Sequence, residues 1–373
     1  MKNLALMILV GLSLSQTLNA QVYTNKPVGE KSEPLVDSLK TTPYPYALPI
    51  WGAKATALGF DLPYSAGLSV NFLTQESELV LQNLVVGFNN GPQYNIDEIV
   101  RFNNATAKAS ALNIRPDIWV LPFLNVYAIL GKVKTSTAID ASIYLPDTAN
   151  VWSPIASFGT TAKFDGTVFG LGLTPTMGVG GGWIALDMNF AWTDIEALDK
   201  PVKTFVFGPR FGKSFKFKKP QNQIAIWAGG FRVQFSSETS GSLPLIELFP
   251  GADPQAKVDQ AIINVETKQM NVDEWWSGLS TIEQANPLNK AKYETANRAL
   301  NTAGNLLNAA DAALNDGEQA TVQYSLDKGL KDAWNFIVGS QYQLNKHWMV
   351  RAEIGFLGSR KQFLTSLQYR FGL

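Results

Sequence analysis

Apolar residues recur at every second position along much of this chain. Ile184, Leu186, Met188, Phe190 and Trp192 fall on one side of a segment whose other side carries Ala185, Asp187, Asn189 and Thr193. That period belongs to a β-strand whose two faces meet different surroundings. Trp348, Val350, Ala352, Ile354 and Phe356 alternate likewise with Arg351, Glu353 and Gly355. Phe363, Leu367, Tyr369, Phe371 and Leu373 alternate with Gln362, Ser366, Gln368 and Arg370. Similar runs cover residues 67–75, 112–120, 124–133, 167–177, 202–217, 227–235 and 334–344. Together they predict about ten strands, each near the ~9–11 residues of a tilted membrane strand.

One stretch breaks this period. Val258, Ala261, Ile262 and Val265 recur at three- and four-residue steps, as do Ala296, Leu300, Ala303, Leu307, Ala310 and Leu314, which predicts amphipathic helices. Asn286-Pro287 separates two helices, and Gly317 after Asp316 marks a stop. Residues 252–317 are therefore a helical insert in an all-β chain. Between Asp253 and Glu318 ten acidic residues face five basic ones, about −5 net. Trp275 and Trp276 are candidate contacts for a ligand or gate; the simpler reading is a helical hairpin whose apolar stripes bury each other.

The N-terminus differs again. Lys2, an apolar run over residues 4–14 and the small Ala20 before Gln21 read as a cleaved secretory signal peptide, residues 1–20. Downstream, no run reaches the ~18 apolar residues of a transmembrane helix. A soluble sandwich or lipocalin-like barrel and a membrane β-barrel both remain compatible with the alternation. Two features favour the membrane barrel. The polar faces are small and mixed (Gly, Ser, Asn, Asp, Arg), as suits a crowded lumen. Aromatic residues also collect near strand ends (Trp183 with Trp192, Trp348 with Phe356, Trp334 with Tyr342), as in interfacial girdles.

With its signal peptide and a last strand that alternates to the final residue, the chain resembles Gram-negative outer-membrane β-barrel proteins. The segments Leu48-Pro-Ile-Trp-Gly52 and Asp61-Leu-Pro-Tyr-Ser-Ala-Gly67 are similar to uncharacterised members of such families. The resemblance implies an antiparallel transmembrane barrel of about ten strands (8–12) over residues 67–373, integral to the outer membrane. It implies that Tyr369, Phe371 and Leu373 form the signal read by the barrel-insertion machinery. In that family the strand usually ends in an aromatic, and here it ends in Leu373. With both termini periplasmic, the turns at 218–221 and 344–346 face the periplasm, and the longer links, including the helical insert, face outward. Residues 21–66 hold six prolines and read as an extended periplasmic arm or partial plug.

Composition narrows the chemistry. Thirty-one basic residues against 31 acidic give no field for nucleic acid, and the absence of cysteine removes disulfides and thiolate chemistry. The single histidine, His347, sits in a turn on the expected periplasmic side, which disfavours a barrel hydrolase. Gly208-Pro-Arg-Phe-Gly212-Lys213-Ser214 has three residues between its glycines where a phosphate loop needs four, and residues 311–318 lack calcium-loop spacing. No enzyme activity, metal or cofactor is expected. The partners expected are outer-membrane lipid, the insertion machinery and a small solute or surface ligand.

The informative constellation is the set of charges on the expected inner face: Arg115, Asp117, Asp187, Arg210, Arg232, Arg351, Glu353 and Arg370. Barrels near eight strands are filled by side chains, whereas ~16–18 strands leave a wide channel. These charges therefore form either a paired, stiffening lattice or a narrow, slightly cationic passage. Two functions follow from the alternatives: a narrow pore or small-solute transporter, or a closed barrel that anchors its extracellular helices as a surface binding or structural protein.

Overall fold

The computed structural model describes residues 33–179, 181–195, 201–219, 221–316 and 320–373, the side chains of 235–239 excepted. The signal-peptide segment lies outside the described residues. Two short helices, α1 (Glu33–Thr41) and α2 (Gly52–Ala57), precede the sheet. The strands are β1 (Ala66–Phe88), β2 (Gln93–Asn95), β3 (Val100–Leu121), β4 (Leu124–Pro146), β5 (Trp152–Val179), β6 (Gly182–Ile195), β7 (Val202–Lys216) and β8 (Gln223–Pro244). A 3-10 turn (Leu245–Leu248) and helices α3 (Pro254–Gly278), α4 (Thr281–Ala285) and α5 (Pro287–Asn315) follow. The chain ends with β9 (Thr321–Leu330), β10 (Trp334–Gln343), β11 (Trp348–Phe356) and β12 (Arg360–Phe371).

Ten of these strands close a ring in the order β1, β3, β4, β5, β6, β7, β8, β10, β11, β12 and back to β1. Every neighbouring pair is antiparallel, and the ring is sealed by β12 on β1, from Ala66 opposite Phe371 to Ser77 opposite Arg360. The expected ten-strand antiparallel barrel is what the chain forms. Closure leaves no free edge in the ring, which is what a sheet in hydrocarbon requires.

The alternation sorts the two faces. Leu68, Val70 and Phe72 on β1, Leu112 and Ile114 on β3, Phe169 and Leu171 on β5, Val350 and Ile354 on β11, and Phe363 and Leu367 on β12 are exposed on the outside. Ser69, Asn71, Asp117, Asp187, Arg210, Glu353, Gln362, Ser366 and Arg370 are buried on the inside. Along β1 the outer face carries Leu68, Val70, Phe72 and Thr74 before the first charge, Glu76, which pairs with Lys108 at 3.3 Å. The rise from Leu68 to Glu76 is about 20 Å for a strand tilted by ~40°. Aromatic pairs mark the belt's rims: Trp348 with Tyr369 (4.9 Å) and Phe217 with Tyr342 (6.2 Å) below, Phe336 with Phe356 (5.3 Å) and Phe207 with Trp334 (6.3 Å) above. Trp183, expected in a girdle, departs from this arrangement. It is buried in the lumen against Trp227, ring centroids 6.1 Å apart, because it shares parity with the inward Ala185 and Asp187.

Glycines fit the inward aromatics. A Cβ on Gly172, Gly212 or Gly339 would collide with the ring of Tyr127, Trp183 or Trp227 on a neighbouring strand. The rings therefore lie flat against bare backbone, a common reason for glycine within a strand.

Above the belt the wall is rebuilt. β10 to β12 stop at its upper rim, and β9 takes over, pairing with β1 from Leu79 to Phe88 and with β8 from Ser237 to Pro244. β3, β4 and β5 also run on past the rim, with Val100 opposite Ile143 and Pro146 opposite Trp152. The helical insert rests on these extensions. Its helices start at clear caps: the Asp253 side chain accepts from the Gln255 amide, Ser280 and Glu283 form a capping box, and Asn286 caps the Leu288 amide ahead of Pro287. Val258, Ala261, Val265 and Val272 of α3 and Ala299, Leu300, Ala303 and Leu307 of α5 share one core with Leu81, Leu84, Ile143, Leu145, Val322 and Leu326 of the strands and Ile99 of the turn before β3. The apolar stripes thus bury sheet as well as each other, and a β/α cap stands on the barrel.

The N-terminal arm, expected to be extended, is partly helical over α1 and α2. It docks at the short-turn end of the barrel, where Asp61 pairs with Lys216 (2.7 Å) and Lys346 (3.7 Å). The Ile50 amide donates to the Val120 carbonyl (2.9 Å) and the Leu48 amide to the Leu373 carbonyl (3.2 Å). Ala55, Phe60 and Leu62 form a small core of their own with Tyr44.

Candidate functional site

β6, β7 and β11 bring four of the expected charges, Asp187, Arg210, Arg351 and Glu353, to one point of the lumen. Glu353, 1% exposed, accepts two bonds from Arg210 (Nε 3.0 Å, Nη2 3.1 Å), one from Trp227 Nε1 (2.8 Å) and one from Arg351 Nη2 (3.1 Å). The third arm of Arg210 donates to Asp187 at 2.7 Å. Asp187 in turn accepts from the Tyr127 hydroxyl (2.7 Å) and the Thr174 hydroxyl (2.6 Å). Arg115 lies over the Tyr127 ring, 3.2 Å from its centroid. These groups close on one another across the barrel, and Trp183 and Trp227 fill the space beside them. A buried charge persists in such a place only when it is paired this fully.

Arg370 and Asp117 form a second pair at 2.9 Å, nearer the short-turn end, where Asp117 also accepts from Asn125 and Gln368, each at 2.7 Å. Arg370 Nε donates to the Tyr64 carbonyl of the arm (2.9 Å). Between this level and Arg210 lies a polar cavity of about 140 Å³, lined by Asn71, Lys216, Lys346 and Arg351 among others and bounded by Asp61, Leu62 and Pro63 of the arm. His347 stacks on Tyr369 (5.4 Å), packs at a tilt against Tyr64 (4.7 Å) and bonds the Arg370 carbonyl through Nδ1 (2.8 Å).

Arg232 stands apart. It was expected on the inner face, but it is exposed on the outside of β8, opposite Phe207 and Trp334. The reason is parity: Trp227 and Val233 point inward, so residue 232 must point outward. Tyr369, Phe371 and Leu373 are exposed at the lower rim, where the Leu373 amide donates to Ser65 (2.9 Å). Trp275 and Trp276 are half-buried at the far tip of the helical hairpin, and Trp276 stacks on Tyr293 (4.3 Å), holding α3 to α5.

A second chamber, which the sequence did not suggest, sits in the cap. It has a volume of about 140 Å³ and is walled by Leu84, Val86 and Phe88 of β1, Ile139 and Ile143 of β4, Phe158 and Phe164 of β5, and Leu306, Leu307 and Ala310 of α5. β9 adds Val322, Tyr324, Leu326 and Lys328, one face of a strand whose other face carries Gln323, Ser325 and Asp327. Burial holds the Lys328 ammonium below the ordinary lysine value and the Tyr324 hydroxyl above the ordinary tyrosine value. A groove of about 340 Å³ between β5 and α3 shares Ile143, Phe158, Phe249, Val258 and Leu307 with the chamber and has Lys257 on its rim. The detectable signal was the period two itself, which continues through Leu79, Leu81 and Ile139 and through Val322 to Lys328, beyond the length a membrane strand needs.

Arg298 of α5 clamps Glu98 in the link before β3 (Nη2 to Oε1 2.7 Å, Nε to Oε2 2.9 Å), and this pair holds the Glu98 carboxyl below its usual range.

No known family's sequence profile matches the chain, and no curated protein matches it. Solved structures do. The β domain of the Bordetella autotransporter BrkA matches 82% of this chain and all of its own, with 8% identity and a TM-score of 0.29. The transport unit of the Escherichia coli autotransporter AIDA-I matches 83% of this chain and 90% of its own, with 7% identity and a TM-score of 0.32. The Ralstonia pickettii toluene transporter TbuX matches over the same shares, with 10% identity and a TM-score of 0.29. At these identities and TM-scores the likeness adds no argument to the barrel seen in this chain's own strands.

Proposed function

We propose that this chain is an integral outer-membrane protein, exported by its signal peptide, whose sealed barrel anchors the β/α cap at the cell surface. The carrying observation is the lattice of Arg210, Glu353, Asp187, Arg351 and Tyr127, packed with Trp183 and Trp227 across the lumen. It favours an anchor over the narrow pore that the same charges could also have lined. The apolar belt and its two aromatic rims support the membrane placement, and the outward Tyr369, Phe371 and Leu373 suit recognition by the insertion machinery. In this reading the protein is no enzyme; its work lies in the cap.

Conductance of the purified protein in planar bilayers tests the reading. A sealed barrel gives no discrete current steps, and removing residues 253–317 leaves the trace silent because the obstruction lies below the cap. Anion-selective steps in the intact protein would establish the pore instead.

A further inference from the structure

We propose that the chamber in the cap is a binding site for a small amphipathic anion, an aromatic or short-acyl monocarboxylate whose carboxylate meets Lys328. The walls come from β1, β4, β5, β9 and α5, so the cavity is part of the cap's construction rather than a gap at one loop. Its lining is aliphatic and aromatic except for Lys328, the Tyr324 hydroxyl and two threonines, Thr137 and Thr160. A cavity of about 150 Å³ with such walls accepts benzene, so about 140 Å³ takes a ring or a short chain and excludes a whole lipid.

Lys328 decides the headgroup. Among the described residues no carboxylate bonds its ammonium, although Lys331, three residues further on, pairs with Glu78 at 2.7 Å. An unpaired, mostly buried ammonium facing an apolar space is costly to keep, and an anionic ligand relieves that cost. Few polar groups converging in an apolar cavity is also the usual form of a small-molecule site. The groove beside α3, with Lys257 at its edge, is the route by which an anion reaches the chamber. The site bears on the surface-domain reading by naming what the cap holds, but binding does not depend on whether the barrel conducts.

Titration calorimetry on the full chain in lipid nanodiscs tests this with benzoate, benzyl alcohol and benzylamine. Benzoate binds at least tenfold more tightly than benzyl alcohol, the advantage of a charge-assisted bond, and benzylamine does not bind. Lys328→Met removes the benzoate advantage and leaves benzyl alcohol unchanged. The proposal is overturned if no probe binds the wild-type protein at millimolar concentration. It is equally overturned if benzoate and benzyl alcohol bind alike, or if Lys328→Met leaves the preference for benzoate intact. The probe series on the wild-type protein stands even where the variant folds poorly. Current steps in bilayers alongside benzoate binding would overturn the sealed anchor and keep the chamber.

Discussion

Glu353→Ala removes the acceptor on which the lumen lattice converges. The carboxylate takes two bonds from Arg210 and one each from Trp227 and Arg351. Without it Arg210, only 6% exposed, keeps a single partner in Asp187, and Arg351 and the Trp227 indole lose theirs on this side. Breaking a buried ion pair from one end costs about 3–5 kcal/mol, or roughly two to three and a half powers of ten in the folding equilibrium. Urea unfolding in lipid vesicles, followed by tryptophan emission, reads that loss as a lowered midpoint with an unchanged slope. A quadruple change, Asp187→Asn, Arg210→Met, Arg351→Met and Glu353→Leu, removes these charges together and recovers most of the midpoint, because fully replaced buried ion pairs are often neutral. An unshifted midpoint for Glu353→Ala would mean that water already solvates Arg210, and the sealed lumen would have to be abandoned.

Other perturbations separate barrel from cap. Leu300→Ala opens a hole in the cap core and costs about 2–5 kcal/mol there; hydrogen exchange should quicken in α3 and α5 while the heat resistance of the barrel on gels stays as it was. Gly339→Ala drives a methyl into the Trp227 ring, an overpacking worth about 1–3 kcal/mol, and lowers the urea midpoint of the barrel. The Glu98–Arg298 clamp should act only above the acid range. Glu98 is held below its usual value, so the clamp's contribution is present above the unfolded carboxylate value of about 4.3 and fades as pH falls through the lower folded one. Arg298→Ala and wild-type caps should therefore differ in melting temperature at neutral pH and converge below about pH 4, with the neutral difference shrinking in high salt.

How far the sequence could be read depends on which force set each element. Strands in the belt were legible because hydrocarbon outside and charge inside imprint period two on them, and the ten runs correspond to the ten strands of the ring. The amphipathic helices were legible from α3 and α5, down to the break at Asn286-Pro287. Inward aromatics were not: Trp183 looks like a girdle residue until the glycine it covers is known, and Arg232 falls on the wrong face until the buried Trp227 fixes the parity of its strand. The upper wall was hidden for a different reason. β1 and β4 keep period two above the membrane but switch its parity, from Leu68, Val70, Phe72 and Leu130 outside to Leu81, Ile143 and Leu145 inside, because there the apolar face looks inward onto the cap core. The arm's helices were obscured by its prolines.

One edge of β1 holds β3, and the other holds two successive partners. Residues Ala66 to Ser77 hold β12, and Leu79 to Phe88 hold β9, with Glu78 pinned between them by the Ser359 carbonyl (2.9 Å) and the Lys331 amide (3.2 Å). A strand that slips by two residues keeps every side chain on its proper face, so greasiness alone cannot forbid it. Here, sliding β12 upward by one such step would set Arg360 against Leu79, a place already taken by Leu330. β9 is thus a doorstop: a strand outside the bilayer fixes the stagger, and with it the girth, of the cylinder inside it.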